Sequence, residues 1–188
     1  AECLRAGDEP VYIGFGSMVS GDMGELAEII RQAVKLSGVR AVVALGWGQQ
    51  EAKTKDANIF YVKSVPHDWL FPHMAGAVHH GGAGTTATSL RHALPTLVVP
   101  FGGDQPFWAE RVYAAGCGPK AIPRDKLTAE NLAEGLRALI SNPEYTRNAA
   151  CIGEALRNEH GCANAADLIE KAVWDWENGN PAQDGMNI

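Results

Sequence analysis

Two short segments carry most of the chemistry this chain can do. The first, His79-His80-Gly81-Gly82-Ala83-Gly84-Thr85-Thr86, leaves a short apolar run and opens a predicted helix. The second, Gly103-Asp104-Gln105-Pro106, follows another apolar run some twenty positions on. Glycines without side chains let backbone N–H groups approach an anion, and a helix N-terminus adds partial positive charge. Thr85 and Thr86 can add a hydroxyl bond, and for Thr86 a plain capping role is an equal reading. His80 stands at the strand tip, where it reaches a phosphate oxygen. His79, one step back along an alternating strand, points to the opposite side and reads as a packing residue. Asp104 offers a charged acceptor, and Gln105 an amide that both donates and accepts, which matches neighbouring sugar hydroxyls. Both can also cap the helix that Pro106 begins. Together the segments imply a ligand with phosphates at one end and hydroxyls at the other, as in a nucleotide sugar.

The elements that must position these residues alternate along the chain. Val11 to Phe15 is a predicted strand entering the turn Gly14-Phe15-Gly16-Ser17. Ser20 or Asp22 is expected to cap a helix that shows Leu26, Ile29, Ile30, Ala33, Val34 and Leu36 at helical spacing and stops at Gly38. Arg40 to Leu45 and Ile59 to Val62 are the second and third strands, with Gly46-Trp47-Gly48 at the exit of the second. Pro66 to Pro72 reads as a loop with one helical turn. Ala75 to Val78 is a short fourth strand feeding the His-Gly turn, Thr85 to Ala93 a helix, and Thr96 to Val99 a fifth strand apolar on both faces. A helix runs from Pro106 to Ala115, and Cys117 to Ile122 is a sixth predicted strand. Thr128 caps a helix with Leu132, Leu136 and Leu139 on one face. Asn142-Pro143 starts another, and Gly161 separates it from a last helix ending near Trp176. This alternation predicts an α/β fold, a Rossmann-like, doubly wound parallel sheet, in a single domain over residues 1–178 with a flexible tail at 179–188.

Composition narrows the function classes. The chain has 188 residues, 46% apolar and 20% charged, which suits one globular domain with a real core. A net charge of −6 argues against nucleic acid as a partner. Cysteines 3, 117, 151 and 162 form no C-x-x-C pair and no zinc spacing, so free thiols in a reducing, cytoplasmic compartment are expected. No apolar run reaches transmembrane length. The opening Ala1-Glu2-Cys3-Leu4-Arg5 does not read as a signal peptide and lacks an initiator Met, which points to a processed chain or an excised domain.

Gly82-Ala83-Gly84-Thr85-Thr86-Ala87 also fits the dinucleotide fingerprint G-x-G-x-x-[GA], with Asp104 about twenty residues downstream where a ribose-binding acid is expected. That keeps an NAD-dependent oxidoreductase open as an alternative. Against it, the turn follows the fourth predicted strand, whereas the fingerprint opens the first βα unit.

The run from His79 to Thr86, then Pro95, Pro100 and Asp104-Gln105-Pro106-Phe107-Trp108-Ala109-Glu110-Arg111-Val112, resembles the UDP-glycosyltransferase superfamily, specifically the nucleotide-sugar half of a GT-B enzyme. Gly14-Phe15-Gly16-Ser17-Met18 and Val65-Pro66-His67-Asp68-Trp69-Leu70-Phe71 are similar to the sterol 3-beta-glucosyltransferase branch and to bacterial macrolide and glycopeptide glycosyltransferases. The resemblance covers Pro10 to Trp176. It implies that His80, Thr85 and the backbone of Gly81, Gly82 and Gly84 hold the diphosphate, with Ser17 facing it. It further implies that Val65 backbone groups pair with uracil near His67, and that Asp104 and Gln105 hold glucose hydroxyls. Plant members have a stacking Trp where Ser64 stands, so Trp47 is the candidate to stack on the base, its other reading being a core or rim aromatic. They also have a ribose-binding Glu where Thr88 stands. No D-x-D is present, so neither a metal nor another cofactor is expected, UDP-glucose being a substrate.

What the resemblance implies for function is inverting transfer of glucose to a sterol or similar lipid alcohol. The acceptor site and general base are expected in an N-terminal domain, so no catalytic residue is assigned in this chain, which is expected to be inactive alone. Trp174 and Trp176 are candidates to pack against that domain. A peripheral membrane location is expected of a full-length enzyme. The alternative from another class is a natural non-catalytic, donor-binding subunit that needs a partner acceptor subunit, as in the two-subunit transferase of the dolichol pathway.

Overall fold

A computed structural model of the chain describes residues 7–16, 23–44 and 56–179. Among the described residues, β1 (Val11–Gly14), β2 (Ala41–Ala44), β3 (Ile59–Val62), β4 (Gly76–His79) and β5 (Thr96–Val98) form one sheet in the order β3-β2-β1-β4-β5, with every pair parallel. The order reverses between β1 and β4, as in a doubly wound sheet. Parallel neighbours need crossovers. Among the described residues they are supplied by α1 (Met23–Ser37) between β1 and β2, the short α2 (His67–Leu70) between β3 and β4, and α3 (Ala83–Arg91) between β4 and β5, while α4 (Gln105–Ala114) follows β5. The helices α5 (Ala129–Ser141), α6 (Pro143–Asn158) and α7 (Gly161–Glu177) complete the order.

Strand alternation explains why helices cover both faces. Val11, Ile13, Val43, Val78 and Leu97 point to one side and pack with Leu26, Ile30 and Val34 of α1 and Leu132, Leu136 and Leu139 of α5. Tyr12, Val42 and Ala77 point to the other and meet Leu70, Phe71, Met74 and Leu94. Val98 joins Leu90 of α3, Ala109 and Val112 of α4, and Ala149 of α6. The expected Thr128 cap is present as a reciprocal capping box. The Asn131 N–H donates to Thr128 Oγ1 at 3.3 Å, and the Thr128 N–H donates to Asn131 Oδ1 at 2.9 Å.

The sixth predicted strand is not formed. Residues 117–122 run beside β5 but make only two ladder-like bonds, Thr96 N–H to Cys117 O at 2.9 Å and Ile122 N–H to Val98 O at 3.0 Å. Between them lie Gly118, whose missing side chain admits the Thr96 carbonyl, and Pro119, which has no N–H to donate. The helix predicted from Thr85 starts two residues earlier, at Ala83.

The chain forms two compact units, one ending at Leu156 and one beginning at Arg157. In the second, α7 follows His160, whose φ of 50° lies in the left-handed region. Its Leu168, Ile169, Val173, Trp174 and Trp176 are exposed. Cys117 is buried and Cys151 and Cys162 are exposed, all three as free thiols. No described helix is long and apolar enough to cross a membrane. Ser17, Ser20, Asp22, Trp47, Cys3 and the tail beyond Gly179 lie outside the described residues.

Candidate functional site

Parallel register brings the sequence motifs together. Gly14 of β1 pairs with His79 of β4, and His79 pairs with Val98 of β5, so three strand ends stand side by side where the order reverses. Ligands of open α/β sheets bind outside such carboxyl ends, in the crevice at the reversal.

His79 is fully buried. Its Nδ1 accepts the Gly81 N–H at 3.0 Å, so the proton of the neutral ring sits on Nε2, which has no partner. Burial, assisted by His80 and then His67, pushes its pKa down to about 3. This is the packing role read for it from strand alternation. The bond also defines the turn, because Gly81 takes a φ of 88° and passes close to β5 and α4. A Cβ on it would lie 2.6 Å from Val98 Cγ1 and 3.2 Å from Gln105 O. The Gly81 N–H is therefore engaged by the protein, and its glycine identity is explained by conformation and crowding.

His80 emerges half-buried on the far side of this turn. Its ring lies between Gly16 and Gly82. A Cβ on Gly82 would come within 2.6 Å of Nε2, and one on Gly16 within 3.4 Å of Cε1. Burial lowers the His80 pKa, partly countered by the Asp104 charge, so the ring is neutral and feels that carboxylate. Its Nδ1 is buried without a partner.

Beyond it α3 begins with Gly82 as N-cap, and no side chain caps it. Thr86 N–H closes the first helical bond to Gly82 O at 2.9 Å, so the N–H groups of Ala83, Gly84 and Thr85 have no acceptor in the helix. Space is open beside Gly84. Thr86 does not cap. Its Oγ1 is buried and unpartnered, with the residue only 3% exposed. Thr85 is half-buried on the first turn. Thr88, at the plant Glu position, turns its hydroxyl back to Gly84 O at 2.8 Å.

At the third strand end, Asp104 is the N-cap of α4 but makes no capping bond through its side chain. The exposed Asp104 carboxylate accepts the Trp108 indole N–H at 2.9 Å on Oδ2. Gln105 is nearly buried, and its Oε1 receives the N–H groups of Phe101 at 2.7 Å and Gly102 at 3.3 Å. Its carbonyl end thus braces the loop leaving β5. Trp108 escaped the sequence reading as a contributor to the site. The signal was its position four residues after Asp104, on the same helical face.

Val65 packs partly buried beside the Tyr12 cluster. His67 stacks on Phe71 with ring centroids 4.5 Å apart and shares a 3.0 Å hydrogen bond with Tyr12 Oη. Burial lowers the His67 pKa and pushes the Tyr12 phenol up to about 12, so both are neutral and packed together. Among the described residues, no three His, Cys, Asp or Glu side chains are placed to hold a metal ion.

The assembled site offers a helix N-terminus, a neutral imidazole and a buried hydroxyl at one strand end, with a carboxylate at the next. The model of the erythromycin biosynthesis protein CIII-like C-terminal domain matches residues 28–169. A sterol 3-beta-glucosyltransferase of Arabidopsis thaliana is 43% identical over 170 residues, which is 89% of this chain and 28% of that protein. The kitacinnamycin glycosyltransferase superposes with a TM-score of 0.75 at 25% identity, over 88% of this chain and 44% of that one. Glycosyltransferase VinC, solved with dTDP, gives 0.71 at 25% identity over 91% and 44%. The chain thus spans a little over a quarter of the curated relative's length and under half of each solved one. By fold, matched model and relatives, this chain belongs to the EryCIII-like C-terminal domain family, the C-terminal halves of GT-B glycosyltransferases.

Proposed function

We propose that this domain binds UDP-glucose, or a close relative, at the C-terminal ends of β1, β4 and β5. In its full-length protein it would serve as the donor half of an inverting glucosyl transfer to a sterol or similar lipid alcohol. The observation that carries the reading is the pair of unpartnered buried polar atoms, His80 Nδ1 and Thr86 Oγ1, beside an uncapped helix N-terminus. Buried polar atoms without partners are rare in folded proteins, and a bound diphosphate or ordered water is the kind of partner they call for. The sterol acceptor and glucose rest on the relatives' described activity.

In the proposed reaction an acceptor hydroxyl oxygen attacks the anomeric carbon from the face opposite UDP. The new C–O bond forms as the bond to the diphosphate breaks, and the electron pair leaves with the diphosphate. The hydroxyl proton goes to a base that we place in the N-terminal half. The contribution of this chain is to meet the charge that grows on the leaving group. The Ala83 to Thr85 N–H groups, the helix dipole, the His80 ring and the Thr85 hydroxyl do so without a metal. Asp104 and Gln105 orient the sugar, and Val65 and His67 lie toward the base. The isolated domain is expected to bind donor and transfer little. A lipid acceptor places the complete enzyme at a membrane surface, on the cytoplasmic side.

Calorimetric titration of the chain with UDP, UDP-glucose and NAD tests this. UDP and UDP-glucose are expected to bind and NAD not to bind. Binding of NAD without UDP would refute the reading in favour of a dinucleotide enzyme.

A further inference from the structure

The Asp104 carboxylate is not left to itself. As the residue preceding α4 it accepts the backbone N–H groups of Phe107 at 3.1 Å and Trp108 at 3.3 Å on its carbonyl. Its side chain makes no capping bond to the helix, and instead Oδ2 takes the indole N–H of Trp108 at 2.9 Å. Backbone and side chain of Asp104 are thus both tied to one residue, a turn further along the helix. The indole lies edge-on to the exposed Phe107 ring, with centroids 5.2 Å apart, and is itself half-buried. The carboxylate is exposed, and its charge acts on His80, so it belongs to the same site as the phosphate turn.

An unrestrained aspartate samples several rotamers, and a ligand that needs one of them must order it on binding. A carboxylate has about four lone-pair positions. One indole N–H occupies one position on Oδ2 and leaves Oδ1 entire, enough for two neighbouring hydroxyls. An i, i+4 bond from a half-buried ring costs little further ordering, because the ring is already packed.

We propose that Trp108 is a positioning residue for the donor sugar: its indole N–H holds the Asp104 carboxylate in the orientation that receives the sugar hydroxyls. This rests on the reading of Asp104 as a sugar contact. Trp108 touches no ligand in this scheme and acts wholly through Asp104.

The test is calorimetry on the chain with UDP-glucose and with UDP, comparing the unaltered protein with Trp108→Phe, which keeps an aromatic ring and loses the N–H. UDP-glucose affinity is expected to fall roughly three- to tenfold while UDP affinity stays within about twofold. Unchanged affinity for both ligands overturns the proposal, and so does an equal loss for both, which a merely structural Trp108 would give. In an Asp104→Ala background Trp108→Phe is expected to have no further effect, and an undiminished effect there also overturns it. Trp108→His, whose ring N–H can replace the indole donor, is expected to recover part of the preference for UDP-glucose. If Trp108→Phe fails to fold, the Trp108 indole resonance of the unaltered chain decides. It should shift more with UDP-glucose than with UDP, and equal shifts count against the proposal. Failure of the unaltered chain to bind UDP would refute the function reading and this proposal together. Normal binding with an unaltered preference in Trp108→Phe refutes this proposal alone.

Discussion

Replacing His79 by Asn keeps an acceptor for the Gly81 N–H but removes a titrating ring from the core. The imidazole pKa falls from its ordinary 6.5 to about 3 in the fold, first through burial and then through the neighbouring His80 and His67. An unfolded chain therefore takes up the proton before the folded one does. Stability from the neutral ring is whole above about pH 6.5 and is lost as pH falls from there toward about 3. Within that window one extra proton on the unfolded state removes about 1.4 kcal/mol per pH unit. Between about pH 7.5 and about pH 4.5 the loss is roughly 2–3 kcal/mol. His79→Asn leaves a smaller side chain in a buried place and lowers stability by roughly 1–3 kcal/mol near neutral pH. It should, however, lose less on acidification than the unaltered protein, by about the same 2–3 kcal/mol. Urea titrations of both proteins at the two pH values, followed by circular dichroism, measure this difference. Surface carboxylates contribute equally to both and cancel. If the two proteins weaken in parallel, a neutral, non-titrating His79 under the Gly81 turn is refuted.

His80→Ala should weaken UDP binding by about tenfold, the scale of one hydrogen bond to a charged oxygen, and unchanged affinity by calorimetry would return His80 to a packing role. Asp104→Ala should weaken UDP-glucose by about tenfold and UDP by less than about twofold, and equal effects on both would remove its sugar role. Gly81→Ala forces a left-handed residue against Val98 and the Gln105 carbonyl. The expected cost is roughly 2–4 kcal/mol, read as a lower melting temperature, and an unshifted melt would contradict the crowding at the turn.

The sheet was legible because its strands are buried on both faces and so appear as unbroken apolar runs between glycine turns, as in Val11 to Phe15 and Thr96 to Val99. Residues 117–122 are expected to add a sixth strand, but the segment is broken by Gly118, Pro119 and Lys120, and Pro119 cannot donate to a ladder. The opposite placement of adjacent His79, buried, and His80, half-buried at the turn, followed from strand alternation. Hidden from the sequence was which backbone groups the protein consumes. Gly81 reads as a phosphate contact by type, yet its N–H is bonded to His79. Gln105 reads as a sugar contact, yet its carbonyl oxygen braces Phe101 and Gly102. Such commitments depend on ångström-scale placement of side chains that a motif does not encode. Trp108 is the converse case, where helical spacing held the signal but the indole's partner was evident only once the Asp104 side chain proved not to cap α4.

The failed strand also bears on how the domain behaves in solution. A sheet edge with vacant N–H and C=O groups is a template for another chain, and β5 is the sheet's last strand. The segment after α4 occupies Thr96 N–H and Val98 O, then interposes a proline where continued pairing would need a donor. It blunts the edge without extending the sheet. Growth of the sheet from one molecule into the next is opposed on the side where the Phe101 to Asp104 loop leaves β5. The Asp104 carboxylate next to that loop is thus exposed to solvent without a bare strand edge beside it.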